Sequence, residues 1–157
     1  MRFPCVKKPV SFALAIAGRS LAALALVLAF SASAKAMIVT RDMGGSVRER
    51  IAQVNDLSAN GTEVRIVGTC VSACTLLLGV PTACVAPQAR LGFHGPSTRK
   101  RGLPLPRDEY ERVSAEMASL YPPQIRRWFM TTARKTTGDY ILISGRDAIA
   151  MGARACD

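Results

Sequence analysis

Val47, Ile51, Val54 and Leu57 recur at three- and four-residue intervals, with charged and polar residues filling the gaps. That spacing places them on one face of a helix. Ser46 stands where a capping side chain is needed, and Asn60-Gly61 supplies a turn to end the helix. Short β-prone runs flank it: Met37-Ile38-Val39-Thr40 before and Val64-Arg65-Ile66-Val67 after. The first breaks at Asp42-Met43-Gly44-Gly45, where paired glycines permit a tight turn or a close backbone approach. The second leads into Gly68-Thr69-Cys70-Val71-Ser72-Ala73-Cys74-Thr75, expected to be a turn opened by Gly68. Leu76-Leu77-Leu78 and Val80 follow, too short a run for its period to type. Coming directly after a strand end, it is read as a buried helix starting at Ser72 and closed by Pro81.

Cys84-Val85-Ala86 and Arg90-Leu91-Gly92-Phe93 read as short strands, with His94 at the end of the second. Ser97 to Pro106, basic and containing Pro and Gly, reads as an exposed loop. Arg107 to Leu120 is a charged amphipathic helix with Tyr110, Val113 and Met117 on one face. Pro122-Pro123 breaks it, and Gln124 to Lys135 forms another helix, whose Ile125, Trp128 and Phe129 belong to the core. After a turn at Thr136-Thr137-Gly138-Asp139 comes the strand Tyr140 to Ile143. Ser144 and Asp147 then have capping-box spacing for a last helix that Gly152 stops.

Strands alternating with helices predict an α/β fold with a small, mainly parallel sheet flanked by helices. In such folds the working groups collect at the C-terminal ends of the strands. Gly44-Gly45, Ser72 and His94 each fall at or just after such an end.

Charge and cysteines change the picture at the ends of the chain. Arg2, Lys7, Lys8 and Arg19 precede the apolar run Leu21 to Phe30, and Ala34-Lys35-Ala36 follows it. A basic start, a short apolar core and an A-x-A end predict a signal peptide over residues 1–36, leaving a domain of residues 37–157 in the periplasm. If the leader stays uncleaved, it becomes an N-terminal membrane anchor, the one expected membrane contact. Its five basic residues supply half of the net charge of +10, so the domain carries +5. The cluster Arg99-Lys100-Arg101 comes without a binding motif or interleaved aromatics, so no nucleic-acid partner is expected. Cys70, Cys74, Cys84 and Cys156 are an even set in an exported domain and predict disulfides, with three full pairings open.

A serine becomes a useful nucleophile only when a neighbouring base takes its proton. Ser72 at a helix start, His94 as base and a carboxylate to orient the imidazole would meet that need. The N–H groups of Ala73 and of the paired glycines would face the developing oxyanion. Two rivals use the same residues. Cys70, Cys74, Cys84 and His94 match a Cys₃His zinc set in type, although the gaps are not those of a standard finger. Cys70 or Cys74 paired with His94 would make a cysteine nucleophile. An oxidising compartment favours disulfides over both, so no metal and no cofactor is expected.

From Asp42 to Gly152 the chain resembles the Clp-type serine peptidases of the Clp/crotonase superfamily, most of all small exported Clp-like proteins. Gly44-Gly45 matches the family's paired-glycine turn; Gly68, Ser72 and Leu76-Leu77-Leu78 match its nucleophile segment. Pro87-Gln88-Ala89-Arg90 and His94-Gly95-Pro96 match the strand leading to its histidine, and Ser144, Asp147, Ala148 and Gly152 match its late segment. The resemblance implies a serine hydrolase with Ser72 as nucleophile, His94 as base and Gly45 and Ala73 as oxyanion donors. It implies Asp139 as the third member after a one-residue shift, since a gapless match puts Tyr140 there. A peptide or protein substrate and assembly into oligomers are further implications. Relatives that bind without cleaving give the alternative, an inactive binding module of the cell envelope.

Overall fold

A parallel pair of strands, β1 (Ala36–Asp42) and β2 (Glu63–Val71), starts the sheet. The computed structural model describes residues 36–98 and 105–157. The leader, apart from Ala36, and the cluster Arg99-Lys100-Arg101 lie outside the described residues. Val64 and Ile66 alternate into the core of β2 at 0% exposure. The alternation then slips: Val39 pairs with Ile66 but Arg41 with Thr69, so two residues of β2 oppose Thr40 alone. Gly68 sits in that bulge, where a Cβ would overlap the Thr40 carbonyl. The glycine therefore does not open a turn, as the sequence suggested. It lets β1 pass close by while β2 continues to Val71.

The other edge of β2 is shared in sequence by β3 (Cys84–Val85) and β4 (Arg90–Phe93), both parallel to it. Strand β5 (Ile141–Ser144) closes the row antiparallel to β4, giving the order β1-β2-β4-β5. The result is an α/β fold with a mixed five-stranded sheet in which β5 alone runs against its neighbour.

Helix α1 (Val47–Ala59) is capped by Ser46, whose Oγ accepts from Glu49 N–H at 3.4 Å. The apolar run after β2 forms a buried 3₁₀ helix, Ser72–Gly79, where a buried helix was expected. Helix α2 (Arg107–Ser119) is followed by α3 (Pro123–Thr131), whose Arg126 reaches back to the carbonyls of Ala118 and Ser119 at 2.9 and 2.8 Å. Those are acceptors that the end of α2 leaves without intrahelical partners. The expected helix Gln124 to Lys135 is divided at Thr132, beyond which Ala133–Lys135 is a separate 3₁₀ turn. Helix α4 (Gly145–Ala150) carries the full capping box: Ser144 Oγ accepts from Asp147 N–H and Asp147 Oδ2 accepts from Ser144 N–H, each at 3.1 Å. Hydrogen bonds from Ser144 hold the Asp147 carboxyl below its ordinary value.

Phe93 at the end of β4 meets Tyr121 and Trp128 edge-on, with centroids 5.4 and 5.3 Å away, and Tyr121 meets Phe129 at 5.1 Å. Each such pair is worth about 0.5–1.5 kcal/mol beyond area burial. The cluster anchors α3 beneath β4 and keeps the strand end bearing His94 in place. Among the described residues no helix is long and apolar enough to cross a membrane.

Candidate active site

Strand β2 ends on Val71 in extended geometry (φ −123°), and the next residue turns abruptly. Ser72 has φ +59°, the only positive φ outside glycine among the described residues. Such a conformation costs about 1–3 kcal/mol and persists only where surroundings hold it. Two sets of contacts flank it. A disulfide joins Cys70 to Cys74 across the serine. On the other side Thr75 Oγ1 donates to the Ser72 carbonyl at 2.8 Å and lies 2.8 Å from the Tyr121 hydroxyl. Thr75 has spent its one hydrogen on Ser72, so Tyr121 is the donor to Thr75. Burial pushes the Tyr121 phenol up, which keeps that donor protonated.

His94 brings its ring to this turn from the end of β4. The Ser72 hydroxyl lies 2.7 Å from His94 Nε2, and His94 Nδ1 lies 2.6 Å from the Gly95 carbonyl oxygen. A carbonyl only accepts, so Nδ1 carries the hydrogen. Nε2 then has a free lone pair and accepts from Ser72. This is the tautomer that a general base needs.

The Gly95 carbonyl is itself well fixed. Gly95 N–H donates to Thr136 O at 2.8 Å, and a Cβ on Gly95 would overlap the Arg134 carbonyl. Asp139, expected beside the imidazole, is exposed, and its Oδ1 accepts from Tyr140 N–H at 2.8 Å. Its carboxylate takes the nearest free backbone donor at the entrance to β5. The Gly95 carbonyl occupies the orienting position on Nδ1, and the Asp139 carboxylate bonds Tyr140 N–H instead.

Gly44 (φ +93°) and Gly45 (φ +137°) adopt conformations that favour glycine. A Cβ on Gly44 would stand 2.5 Å from Ser72 Cβ and 2.9 Å from both Ser72 Oγ and Ala73 N. The glycine turn thus lies directly on the serine turn. Gly44 N–H is committed to Asp42 Oδ1 at 2.8 Å, while Asp42 Oδ2 takes an ion pair from Arg50 at 2.6 Å. Gly45 N–H has no acceptor among the described residues. Ala73, second in its helix, has no intrahelical acceptor for its own N–H. These are the two donors expected for an oxyanion.

Gly44→Ala is expected to slow reaction of Ser72 with an acyl- or phosphonyl-type probe by about 10²-fold, the scale of a misplacement near 1 Å. Gly45→Ala, whose Cβ meets nothing within 4 Å, adds only backbone strain and should cost less. Comparing the two probe-reaction rates checks the order.

Ser72, His94, Gly45 and Ala73 are therefore brought to one corner of the sheet, while Asp139, beside it at the entrance to β5, makes no hydrogen bond to His94. Sequence reasoning missed Gly95 as the orienting group, although a glycine between the histidine and a proline is a signal for a constrained backbone. It also missed Thr75, Tyr121, Asp42 and Arg50, which hold the two turns. No local pattern marks them, because Thr75 and Tyr121 lie 46 residues apart. Cys70–Cys74 and Cys84–Cys156 are both paired, which leaves no thiolate for the cysteine nucleophile or the zinc site. No protein-family model matches the chain, and no curated protein matches it.

Proposed function

We propose that this chain is an exported serine hydrolase of Clp/crotonase type, acting on peptide or ester acyl groups. One observation carries the reading: a serine in a left-handed turn with its hydroxyl 2.7 Å from the accepting nitrogen of a histidine. In the proposed reaction Ser72 Oγ attacks the acyl carbon while its proton passes to His94 Nε2. The imidazolium keeps its Nδ1 hydrogen on the Gly95 carbonyl, and the oxyanion receives the Gly45 and Ala73 N–H groups. Collapse of the tetrahedral species breaks the bond to the leaving group, which takes the proton from Nε2. An acyl-Ser72 remains, and water delivered through the same base releases the acid. A neutral carbonyl stabilises the imidazolium less than a carboxylate would, so a slow hydrolase is the natural form of this reading.

Two disulfides support export to an oxidising compartment. The leader at residues 1–36 supplies the route, and a mature chain starting at Met37 is part of the proposal. The second reading, an inactive binding module of the envelope, draws on Asp139, whose carboxylate holds Tyr140 N–H rather than the imidazole.

The test is reaction of the folded, disulfide-bonded protein with a fluorophosphonate, followed by mass mapping of the adduct. One phosphonyl group on the peptide containing Ser72 is the expected result. An unlabelled protein that also fails to hydrolyse a panel of esters and peptides would sink the hydrolase and leave the binding module.

A further inference from the structure

Cys70 and Cys74 stand two residues before and two after Ser72, and the bond between them closes a loop around the strained residue. Both cysteines are fully buried, at 0% exposure. Thiol–disulfide exchange requires access to sulfur, so this bond is poorly placed for a redox switch. Its chain-entropy contribution to the domain is also the smaller of the two, about 2 kcal/mol. That gain grows with loop length, and this loop is among the shortest a disulfide can close, against a separation of 72 for Cys84–Cys156.

What sets the bond apart is the conformation that it encloses. A residue ending a strand relaxes most simply by continuing it, and four extended residues span about 13 Å. The disulfide holds the Cα atoms of Cys70 and Cys74 at 5.3 Å, which forbids that continuation. Thr75 and Tyr121 restrain the serine's carbonyl from the core side, whereas the disulfide restrains the path of the chain on both sides of it. A deep, short-loop bond with the smaller entropic contribution, wrapped round a left-handed serine, has a local task.

We propose that the Cys70–Cys74 disulfide is a positioning element, holding Ser72 in its left-handed turn and its hydroxyl on His94. Its catalytic consequence rests on the serine-hydrolase reading; its geometric content does not. His94 is the only histidine in the chain, so the imidazole ¹⁵N resonances report this one contact.

The experiment compares the full chain with Cys70→Ala/Cys74→Ala, Ser72→Ala and, as a control for losing any disulfide, Cys84→Ala/Cys156→Ala. In the first pair the Nε2 resonance is expected to move to its position in Ser72→Ala, and adding Ser72→Ala should move it no further. Fluorophosphonate labelling should fall about 100-fold in that pair and stay at the wild-type rate in the control. A wild-type Nε2 resonance in Cys70→Ala/Cys74→Ala overturns the proposal, as does an equal shift in the control. Should the alanine pair fail to fold, Cys84→Ala/Cys156→Ala is unfolded in denaturant, where its remaining bond is accessible, reduced with excess dithiol and refolded with the dithiol present. Two thiols form, the dithiol becomes its cyclic disulfide, and side-chain volume is nearly unchanged. The same resonance shift is expected in a folded chain. Unfolding there also overturns the proposal, because the bond would then hold the whole domain. A wild type that never labels removes the hydrolase reading, while the resonance comparison still decides the positioning role.

Discussion

Ser72→Ala is expected to lower fluorophosphonate labelling, and turnover of any ester or peptide that the wild type cleaves, by about 10⁴-fold or more. His94→Ala should lose a similar factor, and the double variant should lose no more than either alone. A nucleophile and its base act as a unit, so their losses do not add. The 2.7 Å contact between Ser72 Oγ and His94 Nε2 is the physical reason for expecting that coupling. Asp139→Asn separates this geometry from a triad with a carboxylate. Were Asp139 holding the imidazole, asparagine there would impose the wrong tautomer and cost about 10⁴-fold. With its carboxylate on Tyr140 N–H and Gly95 O on Nδ1, the expected loss is within about tenfold. Labelling rates of the four variants, each with a wild-type circular-dichroism spectrum, check both statements. Additive losses for Ser72 and His94 would show that the two residues act independently, contrary to the mechanism.

The α/β class, the capped helix α1 and the corner holding Ser72, His94 and the paired glycines were legible because each has a local cause. Ser46 and Asn60-Gly61 bound α1 by capping and turn chemistry, and Ser144 with Asp147 bounds α4 in the same way. The antiparallel placement of β5 was not legible. Nothing within Ile141–Ser144 states the direction of its partner, which is fixed by the path of α2 and α3 before it. Gly68 was misread for a related reason. A glycine permits a turn, but here the close passage of the Thr40 carbonyl uses its missing Cβ, and that neighbour lies on another strand. The orienting group on His94 escaped because the search was for a carboxylate side chain. Gly95 before Pro96 marks a constrained backbone, but every residue has a carbonyl, and nothing in the sequence says that this one faces the imidazole.

Removing the second disulfide is expected to be the costliest change to stability. Cys84→Ala/Cys156→Ala opens a loop closed over a separation of 72 residues, for which the chain-entropy estimate is about 4 kcal/mol. A typical domain has about 5–15 kcal/mol in total, so the variant should remain folded but lose about 10–20 °C in melting temperature. The local contacts say where the loss appears. Val85 bridges to Ala155, with Val85 N–H on Arg154 O at 2.8 Å and Cys156 N–H on Val85 O at 3.0 Å. Arg154 also reaches the carbonyls of Thr82 and Ala83, and Arg65 reaches Asp157 O. The disulfide locks this terminal segment onto β3, at the end of β2 remote from Ser72. Amide exchange should therefore accelerate first at Val85 and Cys156, while the His94–Ser72 contact and the labelling rate below the melting transition stay as in wild type. A melting temperature within about 3 °C of wild type would mean that the terminal hydrogen bonds suffice without the covalent link. Loss of labelling in the folded variant would mean that β3 and the serine turn are mechanically coupled through β2, which the separate attachment of the two disulfides argues against.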